Sequence, residues 1–164
     1  MTAGTADAPL RLSSAVVRAD WVDYNDHLSE WAYLLIFGDN ADAFFRFIGV
    51  DEAYRDAGHS LYTAETHLRH LREVKLGQPV TLTTLVLGAD AKRLHVLHEM
   101  LAADGEPVAT CEQLLLHVDA RAGRVAPFGA ELAGRLGLIA AAHARLPVPG
   151  YVGRPIRSLA SLEG

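Results

Sequence analysis

Residues 23–48 read DYNDHLSEWAYLLIFGDNADAFFRFI, a knot of polar side chains followed by a run with helical periodicity. From Trp31 to Ile48 the residues Leu34, Phe37, Gly38, Ala41, Phe44, Phe45 and Ile48 recur at steps of three and four, which predicts one long helix. Asp39, Asp42 and Arg46 leave only a narrow polar strip, so this helix is expected to be wrapped by other elements. Gly49 supplies its stop, and Asp51 to Ala57 has room for a further turn or two before Gly58.

Working outward, Leu12 to Arg18 suits a short strand, and residues 1–11 read as a flexible arm of small and polar residues. After Gly58 come four strand-like runs: Leu61 to Val74, Pro79 to Leu87, Leu94 to Ala102 and Val108 to Val118. They are separated by Gly77-Gln78, Gly88-Ala89-Asp90 and Asp104-Gly105, turn residues that predict an antiparallel meander. The first run alternates Thr63, Glu65, His67 and Arg69 with Tyr62, Ala64, Thr66, Leu68 and His70. Neither set is uniformly apolar, so the strand is expected to wall a site or a subunit interface.

Ala130 to Arg145 reads as an Ala/Leu-rich helix ahead of a Pro- and Gly-bearing tail. The order predicts an α+β fold over residues 12–128, a curved antiparallel sheet of about five strands wrapped around the long central helix. The C-terminal helix and tail, 129–164, are expected to pack on the same domain. Such a sheet leaves an open edge, and pairing of two copies would close it.

Length and composition bound the function. The chain has 164 residues, 50% hydrophobic and 21% charged, which suits a single domain with its own core. A net charge of −5 with both signs scattered offers no basic stripe for a nucleic-acid partner. Cys111, alone and within an apolar run, excludes an internal disulfide and reads as buried filler. No apolar run reaches the ~18 residues of a membrane span, and the start MTAGTADAPLRL has no signal-peptide pattern. The expected setting is cytoplasmic, with no membrane partner.

Asp20, Asp23, Asn25, Asp26 and His27 crowd together just before the helix, with Trp21 and Tyr24 among them. Turn and capping chemistry is one reading, since Asp and Asn serve both. The other is catalytic: the free amides and positive dipole end of a helix can hold an oxyanion, and a carboxylate beside them can attack a carbonyl or activate water. There is no phosphate loop, dinucleotide glycine fingerprint or serine elbow. His67 with His70, and His95 with His98, lie three apart in strands and split across opposite faces, so no metal is expected.

The stretch Asp23-Tyr24-Asn25-Asp26-His27-Leu28-Ser29-Glu30, followed by Trp31-Ala32-Tyr33-Leu34, resembles the motif that opens the central helix in hotdog thioesterases of the 4-hydroxybenzoyl-CoA thioesterase type. That motif runs Asp, any residue, Asn, Gly, His, an aliphatic residue and two polar residues, with Tyr-Leu shortly after. Asp23, Asn25, His27, Leu28, Tyr33 and Leu34 match in place. Leu71 to Gly77 and Ala109 to Leu114 resemble later stretches of the same enzymes. Two departures stand out: Asp26 replaces the glycine, and Ser29-Glu30 replaces a pair of asparagines.

The resemblance implies an acyl-CoA thioesterase that needs no cofactor, coenzyme A entering as part of the substrate. It puts Asp23 forward as nucleophile or general base, with His27 orienting it or bonding the carbonyl. Glu65 is the rival carboxylate, because in hotdog dimers the corresponding strand passes close to a neighbouring subunit's helix start. A homodimer or homotetramer with the site at the subunit interface is therefore expected.

A second resemblance is narrower. The strings 21–25, 30–39 and 60–74 are similar to the thioesterases of carnitine breakdown, which release glycine betaine from betainyl-CoA and occur alone or fused behind a carnitine dehydrogenase. On that likeness Glu65 and Asp39, with Trp21, Tyr24, Trp31, Tyr33 and Tyr62, would form a negative, π-rich pocket for trimethylammonium, with Asn25 and His67 lining it. Arg69, Arg72, Lys92 and Arg93 are the candidates for the CoA phosphates. Another short or aromatic acyl-CoA, or binding of a thioester or small cation without hydrolysis, are the alternatives.

Overall fold

The computed structural model describes residues 8–158. Residues 1–7 of the expected arm and 159–164 of the expected tail lie outside the described residues. β1 (Leu10–Val16) begins within the stretch expected to be arm, and a single 3-10 turn (Ala19–Trp21) leads to α1 (Glu30–Ile48). Then follow α2 (Glu52–Asp56), β2 (His59–His70), β3 (Pro79–Ala89), β4 (Arg93–Leu101), β5 (Pro107–Asp119), β6 (Arg124–Val125) and α3 (Ala130–His143). α1 stops where Gly49 takes a φ of 94° and its N–H bonds the carbonyls of Phe45 and Arg46, a left-handed turn that glycine enters at least cost.

The sheet runs β1-β3-β4-β5-β2 with antiparallel neighbours, and β6 extends it beside β5. The meander expected of four consecutive runs holds only for β3, β4 and β5. β2 pairs with β5 instead, because residues 71–78 carry the chain past the start of α1, where the amide of Leu28 bonds the Val74 carbonyl and that of Leu76 bonds the Asp26 carbonyl.

β2 also breaks the alternation expected of it. Thr63 pairs with Leu115 and Glu65 with Leu114, so Ala64 is left unpaired in a bulge. Leu61, Thr63, Thr66, Leu68 and His70 therefore share the face turned toward α1, while Tyr62, Glu65, His67 and Arg69 share the outer face. Sequence alternation placed Thr63 with Glu65 and Tyr62 with Thr66. One extra residue in the strand reverses both.

The core is layered along α1. Trp21, Leu28, Tyr33 and Phe37 pack with Val80, Leu82 and Met100 around the helix start. Phe44 and Ile48 pack with Val86, Val96 and Leu115 around its end, where α3 adds Leu132 and Leu136. Each fully buried aromatic or aliphatic side chain contributes about 1.5–3 kcal/mol. Between the layers lies a polar belt. Asn40 Oδ1 accepts from Ser13 Oγ at 2.7 Å, and Asn40 Nδ2 reaches Thr84 Oγ1 and His98 Nδ1, each at 3.0 Å. Thr84 Oγ1 lies 2.9 Å from the same His98 nitrogen, so Nδ1 accepts and the imidazole is neutral with its hydrogen on Nε2. Burial lowers His98 to about 4 and raises the Cys111 thiol to about 12.

α1 is wrapped on one side only. Trp31 (57% exposed), Leu34 and Leu35 form an open apolar face opposite the sheet. α3 lies along β3, and His143 Nδ1 accepts the Val86 N–H at 2.8 Å on the strand edge that β1 leaves open beyond Thr84. The chain then crosses the outer face of the sheet: Tyr151 donates to Glu99, and the Gly153 N–H reaches both carboxylate oxygens of Glu112 at 3.1 and 2.9 Å. Among the described residues no helix is long and apolar enough to cross a membrane.

Candidate active site

The polar knot folds as a small hairpin. The Asp23 N–H bonds the His27 carbonyl at 2.8 Å, and the Asp26 N–H bonds the Asp23 carbonyl at 3.1 Å. Asp23 Oδ1 accepts the amides of Asn25 at 2.8 Å and His27 at 3.2 Å. The capping reading is therefore half of the truth: one oxygen ties the loop, and among the described residues Oδ2 has no hydrogen-bond partner. The carboxylate is held in a fixed orientation with one oxygen available.

Asp26 takes a φ of 58°, the only non-glycine residue with positive φ among those described, at the place where the motif carries glycine. The loop keeps its conformation because aspartate tolerates the left-handed region better than most side chains. Asp26→Val is expected to cost about 1–2 kcal/mol, seen as a lower urea midpoint at unchanged slope. Asp26→Gly should stay within about 0.5 kcal/mol of the parent, relief of strain being offset by unfolded-chain entropy. A Val variant as stable as the parent would rule this strain out.

His27 Nε2 lies 3.3 Å from Glu73 Oε2, a pair that joins the hairpin to the 71–78 connection. Ser29, at the start of α1, makes no side-chain cap, and its carbonyl takes the Ala32 N–H at 3.0 Å, so the amides of Glu30 and Trp31 are the ones open to a ligand, with the positive end of the dipole behind them. Beside them is a cavity of about 420 Å³ lined by Glu30, Tyr33, His70, Arg72 and Glu73. The Tyr33 and His70 rings meet edge to face at 4.6 Å. Burial raises the Tyr33 phenol, the Val74 backbone amide acts against that, and nearby Glu73 adds to it. A wider groove of about 690 Å³ shares Arg72 and Glu73 and continues along Lys75, Gln78 and Asp104.

The structure gathers only part of the expected set. Asp23, Asn25 and His27 are together at the helix start. Trp21 is buried in the core with the Arg18 guanidinium 4.7 Å from its ring, so within the protomer it lines no open cavity. Tyr24 projects into solvent at 96% exposure, and Trp31 lies on the open helix face. Asp39 is exposed more than two turns along α1. Glu65, Tyr62 and His67 face outward, Glu65 and His67 beside a separate cavity of about 420 Å³ with His95, Glu112 and Arg154. Within one protomer, then, these carboxylates do not converge: the sheet lies between Glu65 and the other two, and Asp39 is more than two helical turns from the start of α1 beside Asp23.

The four candidate phosphate ligands are dispersed as well. Arg72 reaches both oxygens of Asp104 at 3.0 Å and lines both cavities of the helix start. Arg69 lies 5.3 Å from the Tyr151 ring on the outer face. Lys92 and Arg93 sit on the β3–β4 turn at the opposite end of β4, where Asp90, held at about 2 chiefly by the Lys92 backbone amide and then by Arg93, organises the turn. A nine-residue strand separates the two ends by roughly 30 Å, so they do not grip one phosphate in one protomer.

Glu30, Glu73 and His70, which line the cavity at the helix start, were not among the expected site residues, and Tyr33 was placed near the site only as an aromatic. Glu30 carried a signal, a charge where the motif has a neutral amide. Glu73 and His70 carried none, because only the course of residues 71–78 past α1 brings them there.

Residues 17–136 match the model of the thioesterase-like superfamily. The chain is 50% identical over 154 residues to an L-carnitine dehydrogenase/betainyl-CoA thioesterase of Rhizobium meliloti (strain 1021), covering 92% of this chain and 31% of that protein. It thus spans about a third of the length of these fused relatives. A betainyl-CoA thioesterase of Pseudomonas aeruginosa is 49% identical over 142 residues, 85% of this chain and 89% of that one. A candidate thioesterase of Pseudomonas putida KT2440 superposes with a TM-score of 0.80 at 39% identity, covering 92% and 97% of the two chains.

Proposed function

Because the chain belongs to the thioesterase-like superfamily, we propose that it hydrolyses an acyl-CoA to the free acid and CoA, with betainyl-CoA, cleaved to glycine betaine in carnitine catabolism, as the substrate. The observation that carries this reading is the Asp23 carboxylate, fixed by two amides with Oδ2 available, beside the uncapped start of α1.

In this mechanism the thioester carbonyl lies against the first-turn amides. Asp23 takes a proton from water as the water attacks the carbonyl carbon, or attacks directly to give an anhydride that water then opens. The helix amides hold the oxyanion. Its collapse expels the CoA thiolate, which leaves readily because a thiol has a pKa of about 8.5. His27, steadied by Glu73, bonds the carbonyl or orients Asp23. Arg72, at the junction of the two cavities, is placed for a CoA phosphate. The reading calls for no cofactor and suits a cytoplasmic setting.

Assembly belongs to the same proposal. Trp31, Leu34 and Leu35 lie open on α1, and β2 is a twelve-residue strand at the sheet edge with no strand on its far side among the described residues. Pairing two copies through these elements would cover the apolar face and bring a second subunit against the helix start.

The test is thiol release from betainyl-, 4-hydroxybenzoyl- and short aliphatic acyl-CoAs by protein whose sedimentation mass is also measured. Betainyl-CoA is expected to give the highest kcat/KM, with a mass that is a multiple of the 17.7 kDa protomer. A folded protein that releases no thiol from any of them is not this enzyme.

A further inference from the structure

In betainyl-CoA a single methylene separates the trimethylammonium nitrogen from the thioester carbonyl. On the reading above, the cation must therefore sit in van der Waals reach of the groups that hold the carbonyl. Within one protomer this removes both carboxylates that the sequence put forward to receive it. Asp39 is nine residues beyond Glu30 on α1, about 13 Å along the axis. Glu65 faces away on the outer side of the sheet.

We infer that the quaternary ammonium is received in the cavity at the helix start, by the carboxylates of Glu30 and Glu73 and the rings of Tyr33 and His70. This assignment rests on the thioesterase reading and adds the residues that select the charge of the acyl group.

The charge balance at the helix start argues for it. Asp23, Asp26, Glu30 and Glu73 all stand on the hairpin, the first helical turn or the connection bonded to them. Against them stand two cations of the same connection, Lys75 and Arg72, and Arg72 is already bound through both oxygens of Asp104. For a neutral acyl group such a wall is counterproductive. CoA is itself polyanionic and hydrolysis develops a further negative charge at the carbonyl, so fixed carboxylates beside it raise the barrier. A permanent cation on the acyl group reverses the sign of the same interactions in both the ground state and the transition state.

Two of the four carboxylates, Asp26 and Glu30, replace the uncharged residues of the motif. The excess negative charge therefore belongs to this chain and not to the motif. The remaining wall is formed by Leu28 and Leu71, the stem of Arg72, and the rings of Tyr33 and His70, and ring faces attract a quaternary ammonium that has no N–H to donate. A cavity of about 420 Å³ is of the size of small-ligand sites.

The probe pair is betainyl-CoA and 3,3-dimethylbutyryl-CoA, which has the same shape with carbon in place of the charged nitrogen. The measured quantity is the ratio of their kcat/KM values in the full chain and in its variants. The parent is expected to favour betainyl-CoA, Glu30→Gln to cut that preference about tenfold, Glu30→Asp to restore part of it, and Glu73→Gln to lower it as well. Glu30 is exposed, so its replacement leaves the core intact. A parent that favours betainyl-CoA, with a ratio unmoved in both Gln variants, overturns the assignment and leaves the thioesterase reading standing. A parent inactive on betainyl-CoA overturns the assignment together with the choice of substrate, and one inactive on every acyl-CoA tested overturns the thioesterase reading as well.

Discussion

Asp23→Asn is expected to lower kcat by a factor of about 10² or more with little change in KM, the usual order for losing a positioned acid or base. The substitution isolates chemistry from structure. Oδ1 of the new amide can still accept the N–H groups of Asn25 and His27, so the hairpin is retained. What changes is the free atom, which becomes an NH₂ that can neither take a proton nor attack carbon. An unchanged urea midpoint alongside the activity loss would confirm that separation. Glu65→Gln should be mild by comparison, because Glu65 is on the outer face of the sheet in each protomer. If Glu65→Gln is crippling and Asp23→Asn nearly silent, the essential carboxylate is Glu65, supplied across the subunit interface.

The largest effect on stability is expected from acid. His98 is buried and neutral in the folded chain at about 4, against an ordinary value near 6.5 when unfolded. Above about pH 6.5 neither state carries the proton and the stability is fully present. As the pH falls from about 6.5 to about 4 the unfolded chain takes up a proton that the native state refuses, and stability on the order of 3 kcal/mol is lost. His143, also lowered by burial, acts in the same direction. The carboxylates of Asp90, Asp104 and Asp119 are depressed by hydrogen bonds and so act only at lower pH. Urea midpoints between pH 7 and 4.5 should therefore fall steeply in the parent and much less in His98→Gln, which keeps a polar group for Asn40 and Thr84. An equal decline in both would exclude His98 as the source.

That polar belt shows how far a sequence can be read. Thr84 and His98 stand in apolar runs with nothing local to mark them, and they join only because β3 and β4 pair in the register that sets Thr84 opposite His98 under Asn40. The bulge at Ala64 is similar. The sequence of β2 fits either alternation, and the pairing with β5 chooses one, which sends Glu65 to the outer face. Trp21 looked like a pocket wall because it neighbours the polar stretch Asp23–His27, yet the turn Ala19–Trp21 directs it into the core.

The sequence by itself determined the long helix with its glycine stop, the extended runs, and the polar turn at Asp23–His27 with its thioesterase resemblance. All of these rest on interactions within a few residues, which periodicity and turn chemistry record directly. Only the tertiary structure decided which strand lies at the edge, which face Glu65 takes, and that Glu30, Glu73, Tyr33 and His70 meet at the helix start. Those juxtapositions join residues up to 43 positions apart, Glu30 and Glu73. They follow from strand order and register, which depend on the packing of the whole chain around α1.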